Sequence, residues 1–237
     1  MANKNKKKKP AAPQQQMSPT KYITSGRARL LPLHQCWISH DWKESGLCTI
    51  VIQREHKTGN ITFGTYLVDR HCLGLKNTAA IFSKSENEIT MYLRQIFQAH
   101  GGKIPIDYAL AHNIIYGAIA YAEDLGFKPE KDWAISQFIL EEDTEDIELI
   151  DVEFGKDGRP MFINGPYDNV PKIIAKLEAS VGKGNYDFIA MINPDFGDDD
   201  FFGSNDFDDD DDDFDDDDDD SVRNINDIED ITYEEVK

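Results

Sequence analysis

The densest group of reactive side chains in the sequence lies between residues 69 and 76. A carboxylate, an imidazole, a thiol and an amine occur there, at Asp69, His71, Cys72 and Lys76. The segment follows a predicted strand, and loops at strand ends often hold catalytic groups because the scaffold beneath them is rigid. In a hydrolase or nuclease, Cys72 could act as a nucleophile activated by His71 or Lys76.

A structural role is the competing interpretation of the same segment. Adjacent residues of an extended chain point to opposite faces, which argues against a direct pair of His71 and Cys72. Free cysteines are among the residues most often buried, and Cys72 stands close to Leu73 and Leu75. We therefore favour a buried thiol over a catalytic one.

Histidine and cysteine residues between positions 34 and 72 raise the question of a metal site. His34, Cys36 and His40 lie close together in the sequence, and Asp41, Cys48, His71 and Cys72 could supply further ligands. Zinc takes about four nitrogen or sulfur ligands, but this spacing matches no common zinc motif and the sequence contains no C-x2-C pair. We expect no bound metal, and no motif indicates another cofactor.

Carboxylates near predicted strands offer a magnesium-dependent alternative. Asp69, Asp151 and Glu153 lie in or beside such strands, with Lys156 close by in the sequence. Nucleases often bind magnesium through carboxylates with a lysine nearby. The whole stretch 141–153 is acidic, however, so solvated surface charge is the interpretation that we favour.

The net charge of the chain is concentrated at its C-terminus. Residues 195–237 carry 22 acidic and two basic side chains, and their net charge of -20 equals that of the whole chain. Dense runs of like charge repel one another and bury little apolar surface, so we predict a disordered tail. Its candidate binding residues are Phe201, Phe202, Phe207, Phe214, Asp208 and Asp215.

The N-terminus carries the opposite charge. Residues 1–20 are rich in lysine, proline and glutamine, and Lys6, Lys7, Lys8 and Lys9 form an uninterrupted run. Such a disordered arm could contact nucleic-acid phosphates, with an affinity that falls steeply as salt is added. A solubilising arm is the interpretation that we favour, because the arm contains only five lysines.

The strands that would position these groups are predicted from alternation and turn residues. Segments 47–54 and 61–69 are predicted to form a β-hairpin around a turn that contains Gly59. A second hairpin is predicted to join 147–154 to 160–164, and a last strand is predicted over residues 185–192.

Capping residues and apolar spacing predict four helices between and after the hairpins. The first follows a capping box that begins at Ser85, and the second begins at Asp107 and runs to Leu125. A short helix is predicted over 131–139, and another has Pro171 in its first turn. Hairpins separated by helices favour an α+β fold, with helices packed on a mostly antiparallel sheet.

Composition indicates one folded region and an intracellular setting. Residues 21–194 suit a single α+β domain, flanked by the arm 1–20 and the tail 195–237. Three cysteines form no disulfide framework, and no apolar run approaches the roughly 20 residues that span a bilayer. The N-terminus lacks the apolar core of a secretory signal. We therefore expect a cytoplasmic protein without membrane contact.

Three blocks of sequence resemble a family of uncharacterised bacterial proteins. They are residues 60–76 (NITFGTYLVDRHCLGLK), 114–127 (IIYGAIAYAEDLGF) and 161–167 (MFINGPY). The family has blocks of the form fGxylVDxxCLGlK, yGaxxyAxxlGF and NGPxd, with no assigned activity. The resemblance implies a single domain over about residues 35–190, and it identifies no catalytic residue.

Two hypotheses of function follow from these observations. The leading one is a non-enzymatic cytoplasmic protein whose acidic tail engages or masks basic surfaces of protein or nucleoprotein partners. The alternative is a hydrolase or nuclease that uses the loop from Asp69 to Lys76. Direct binding of nucleic acid through Lys6 to Lys9 is the weakest of the partner hypotheses.

Overall fold

A five-stranded antiparallel sheet forms the centre of the fold. The computed structural model describes residues 17–165 and 168–189. The five strands are β1 (Leu33–Ser39), β2 (Leu47–Glu55), β3 (Ile61–Asp69), β4 (Gly74–Lys84) and β5 (Lys103–Pro105). They lie in the order β4-β3-β2-β1-β5, and every neighbouring pair is antiparallel. The α+β fold class predicted from the sequence is confirmed.

Six α-helices and a small parallel ribbon complete the described part of the chain. The helices are α1 (Pro19–Thr24), α2 (Trp42–Ser45), α3 (Glu86–Phe97), α4 (Tyr108–Asp124), α5 (Trp133–Ser136) and α6 (Val170–Val181). Two 3-10 turns span Gln98–His100 and Gln137–Ile139. The ribbon consists of β6 (Met161–Ile163) and β7 (Asp187–Ile189). No described helix is long and apolar enough to cross a membrane.

The predicted β2–β3 hairpin is confirmed. The strands pair in register from Leu47 opposite Asp69 to Glu55 opposite Ile61. At the turn, the backbone amide of His56 donates to the carbonyl of Asn60, and Gly59 has a φ of 83°. A positive φ of this size favours glycine, which explains why the turn signal in the sequence was reliable.

The two faces of the sheet are covered by different helices. On one face, α4 packs together with α1 and α5 against strand residues that include Ile38, Ile50 and Tyr66. On the other face, α3 packs against Val51 and Phe63. The period-two alternation of the strands divides their apolar residues between these two clusters.

The predicted helix boundaries are largely confirmed. The Glu88 carboxylate accepts hydrogen bonds from the amide (2.9 Å) and the hydroxyl (2.6 Å) of Ser85, as expected for a capping box. Helix α4 begins directly after Asp107, and α6 ends at Gly182. At the N-terminus the ordered sequence starts slightly earlier than predicted, because Ser18 accepts a hydrogen bond from Lys21 and caps α1.

The predicted second hairpin is wrong. Residues 147–154 form no strand, and only an isolated bridge between Lys156 and Arg159 remains of the hairpin turn. β6 instead pairs in parallel with β7. Residues 147–154 alternate because Val152 and Phe154 pack against the α4 cluster, and this packing gives the same period of two as a strand.

A third apolar cluster joins the ribbon and α6 to the main sheet. Phe162 of β6 and Leu177 of α6 are buried with Cys72, Ala122 and Leu125. The loop after β3 therefore lies between the central sheet and the C-terminal elements. The N-terminal lysines and the acidic tail, including all six candidate binding residues of the tail, lie outside the described residues.

Candidate functional site

Asp69 organises the loop that the sequence singled out. One oxygen of its carboxylate accepts hydrogen bonds from the amides of His71 (2.9 Å) and Cys72 (3.2 Å), and the other accepts from Leu73 (3.1 Å). Burial raises the pKa of Asp69, although these backbone hydrogen bonds oppose the rise. The carboxylate is thus committed to holding the turn that leads from β3 to β4.

Cys72 is fully buried in the third apolar cluster. Its burial raises the pKa of the thiol well above the usual value, because a thiolate would lose its hydration there. Burial likewise raises the pKa values of Cys36 and Cys48 to about 12. These environments support the structural interpretation of the cysteines.

All three cysteine thiols are expected to be unreactive in the folded protein. Because each one is buried with a raised pKa, Ellman's reagent should modify them only when the chain unfolds. The measurement compares the reaction at mildly alkaline pH with and without guanidinium chloride. The opposite result would be a rapid reaction of one thiol in the native protein that disappears in a Cys72→Ser variant. That result would identify Cys72 as an accessible nucleophile.

His71 is held by packing and by its backbone. Its ring lies so close to Gly46 that a side chain at that position would collide with it. The carbonyl of His71 accepts a hydrogen bond from the amide of Met161 (3.1 Å), which connects the loop to β6. Burial lowers the pKa of His71, while Asp69 opposes that change.

Arg70 is the residue of this loop that the sequence analysis missed. Its guanidinium donates to the carbonyls of Trp42 (2.6 Å) and Glu153 (3.3 Å) and lies 5.2 Å from the centre of the Trp42 ring. Its backbone amide donates to Gly46, and its carbonyl accepts from Gly155. An arginine directly after an apolar strand was the available signal, because a buried guanidinium must find several acceptors.

Lys76 is engaged in a partly buried ion pair. Its ammonium donates to both carboxylate oxygens of Asp168, at 2.8 and 3.1 Å. Asp168 also accepts a hydrogen bond from the amide of Gly165 (2.7 Å). The pair fixes the chain ahead of α6 against β4, so the amine is held in a structural contact.

The other predicted ligands make separate contacts, and of these Glu153 and Cys48 lie beside Arg70 of this loop. His34 pairs with Glu55 at 3.4 Å, and Asp41 approaches His100 at 3.6 Å. Glu153 reaches Arg70 through its backbone carbonyl. Within residues 17–165 and 168–189, no three histidine, cysteine, aspartate or glutamate side chains are grouped to hold a metal ion.

A groove beside α4 is the second candidate site, and it was not predicted from the sequence. It has a volume of about 500 Å³. One wall is formed by α4 and the other by an irregular segment, through Tyr116, Gly117, Ala120, Leu149, Val152 and Phe154. Residues 141–153, which we call the acidic segment, carry eight carboxylates and no basic side chain. We call this site the acidic groove.

Below the acidic segment lies a buried histidine. His112 is 1% exposed, its ring lies 4.5 Å from that of Tyr116, and its Nε2 is 3.1 Å from the Glu141 carbonyl oxygen. Burial lowers the pKa of His112, although the hydrogen bond to Glu141 and the charge of Asp143 oppose this effect. The neutral ring is therefore the form that stabilises this part of the fold.

The stability of the protein is expected to fall as the pH drops below about 6.5. The unfolded chain takes up protons there more readily than buried His112, so the free energy of unfolding decreases with decreasing pH. Urea denaturation across this range should show a weaker decrease for His112→Phe. His34→Phe, which replaces an exposed histidine, is the matched control. Equal pH dependence in wild type and His112→Phe would contradict this assignment.

Comparisons of the chain with models of protein families, with curated proteins and with solved structures found no match.

Proposed function

We propose that this chain is a non-enzymatic cytoplasmic interaction protein whose acidic tail engages or masks basic surfaces of protein or nucleoprotein partners. The observation that carries the proposal is the separation of charge along the sequence. Residues 195–237 have a net charge of -20, while residues 1–194 contain equal numbers of acidic and basic side chains. Residues 21–194 contain 18 basic and 23 acidic side chains, so most of the excess negative charge lies on the tail, and such a polyanionic segment favours binding to cationic surfaces.

The composition of the tail supports a protein partner in particular. Phe201, Phe202, Phe207 and Phe214 are interspersed with the aspartates. Their rings can contact the lysine and arginine side chains that the aspartates attract. Charge would then govern the rate and the range of the attraction, and the rings would add short-range contacts that depend less on salt.

The contacts of the loop after β3 favour binding over catalysis. Asp69 holds three backbone amides, Cys72 is buried, and Lys76 is paired with Asp168. These three side chains, on which a hydrolase or nuclease would depend, are thus engaged in contacts that hold the fold together.

Neutralising the tail without shortening it tests the proposal. In one variant, asparagine replaces the aspartates of the runs 208–213 and 215–220; in a second, alanine replaces the four phenylalanines. Binding to immobilised polylysine and to a purified basic nucleoprotein is measured at increasing salt. The asparagine variant should lose binding at low salt, and the alanine variant should lose the part that persists as salt rises. Unchanged retention of both ligands by the asparagine variant would refute the proposed function.

A further inference from the structure

We infer that the acidic groove is a second docking site, which takes a basic peptide segment carrying an apolar side chain. This inference deepens the proposed function, because it supplies an ordered binding site for the same basic class of partner. The basic character of the partner is taken from the proposed function. Its own evidence is the geometry of α4 and the acidic segment.

An asparagine on α4 holds the acidic segment against the helix at residues 148 and 150. The Asn113 side chain donates to the carbonyl of Glu148 (2.9 Å) and accepts from the amide of Ile150 (3.2 Å). A third hydrogen bond, from Asn113 to the carbonyl of Ala109 (2.7 Å), fixes the amide on its own helix. The backbone on both sides of Leu149 is therefore anchored.

Leu149 is presented to solvent by this arrangement. It is 88% exposed, although its two neighbours are tied to α4. Because the backbone on both sides of Leu149 is already anchored, a partner that covers it restricts only the rotamers of its side chain. Burial of such a side chain is also favourable because it removes apolar surface from water.

Small residues of α4 line the groove. Gly117 accommodates the ring of Phe154, which would collide with any side chain at that position, and Ala120 follows one turn later. The space that remains, about 500 Å³, is large enough for one or two side chains of a partner. Its walls are mainly apolar, so they suit the aliphatic stems of lysine or arginine as well as a purely apolar side chain.

The charges around the groove are complementary to a basic segment. The described residues outside 141–153 contain 18 basic and 15 acidic side chains, so the negative charge of the described part is concentrated on the acidic segment. Glu141 and Glu142 pair with Arg54 and Arg29. The carboxylates of Glu145, Asp146, Glu148, Asp151 and Glu153 form no ion pair with a described residue.

A labelled peptide tests the groove in the full-length chain. The probe is a synthetic peptide with four lysines around a central leucine, and its control has serine in place of that leucine. Leu149→Ser should weaken binding of the leucine peptide about tenfold and should leave the serine peptide unaffected. Leu30→Ser is the matched control, because Leu30 is also 84% exposed but does not line the groove. Fluorescence anisotropy gives the affinities.

Further variants identify which carboxylates contribute to peptide binding and which segment occupies the groove. Replacing Glu148 and Asp151 by their amides should weaken binding of both peptides, and amide resonances of Tyr116 and Val152 should shift during titration. Equal affinity of the leucine peptide for Leu149→Ser and Leu30→Ser would overturn the inference. Binding that appears only after Lys6 to Lys9 are replaced by glutamine would assign the groove to the chain's own N-terminus and would also overturn it.

The tail variants separate this inference from the proposed function. A chain with a neutralised tail should still bind the leucine peptide in a manner that depends on Leu149, even if it no longer binds polylysine. Conversely, tail-dependent binding of polylysine with no effect of Leu149→Ser would preserve the proposed function and reject the groove.

Discussion

Replacing Arg54 by alanine is expected to lower the free energy of unfolding by about 3 kcal/mol or more. Arg54 is 1% exposed and connects three parts of the chain. Its guanidinium donates to the carbonyls of Ile139 (2.6 Å), Arg29 (2.8 Å) and Leu31 (2.9 Å). Removal of the side chain leaves these acceptors without their charged donor and opens a cavity between the sheet and the segments that it holds.

Two further substitutions make the Arg54 experiment specific. Arg54→Lys keeps the charge, but a single ammonium group cannot reach all three carbonyls that the guanidinium reaches. We therefore expect a loss in the free energy of unfolding that lies between those of the other two variants. Arg27→Ala removes an exposed arginine and should change stability by less than about 0.5 kcal/mol. Guanidinium denaturation provides the free energies. A loss for Arg54→Ala as small as that for Arg27→Ala would show that the buried guanidinium adds nothing to stability.

Replacing Gly74 by alanine is expected to destabilise the protein by about 3 kcal/mol. Gly74 begins β4 with a φ of 67°, a conformation that is strained for alanine. A Cβ atom there would lie 2.6 Å from the Cβ of Ala122 and 2.8 Å from the carbonyl oxygen of Ala118. Because the oxygen belongs to the backbone of α4, relief of the collision requires the helix and the sheet to move apart.

Gly59→Ala separates the conformational strain from the collision. Gly59 also has a positive φ, of 83°, but no atom beyond its two neighbours in the chain lies within 4 Å of the position that its Cβ would take. Only the backbone strain should remain, a loss of about 1 kcal/mol. Thermal and chemical denaturation of both variants give the comparison. Equal losses for the two variants would show that contact between α4 and β4 is loose at this point.

The local elements of this fold were predictable where their signals are local. The turn at Gly59, the capping box of Ser85 and Glu88, and the N-terminal boundary of α4 at Asp107 each depend on residues close in sequence. β1 and β4 were not predicted, because β1 begins with three exposed residues and β4 contains small and polar ones. Such strands are stabilised by pairing with β2 and β3, which sequence periodicity does not reveal.

The candidate sites likewise combine features that are visible in the sequence with features that depend on distant residues. The residues from Asp69 to Lys76 could be recognised in the sequence as a group of reactive side chains, but their chemistry depends on what surrounds them. Cys72 is buried against residues of α4, β6 and α6, all of which lie far from it in the sequence. The acidic groove was missed because residues 147–154 alternate as a strand would, although they lie along α4.

Amino-acid composition and short-range pattern alone determined the separation of charge, the α+β class, the first hairpin and most helix boundaries. These properties depend on residue type and on neighbours within a few positions. Only the tertiary structure decided which reactive groups are buried, that β6 pairs with β7 and that Asn113 holds Leu149 in solvent. Burial and long-range pairing depend on the whole packed chain, because the free energy of each group is set by the segments that enclose it.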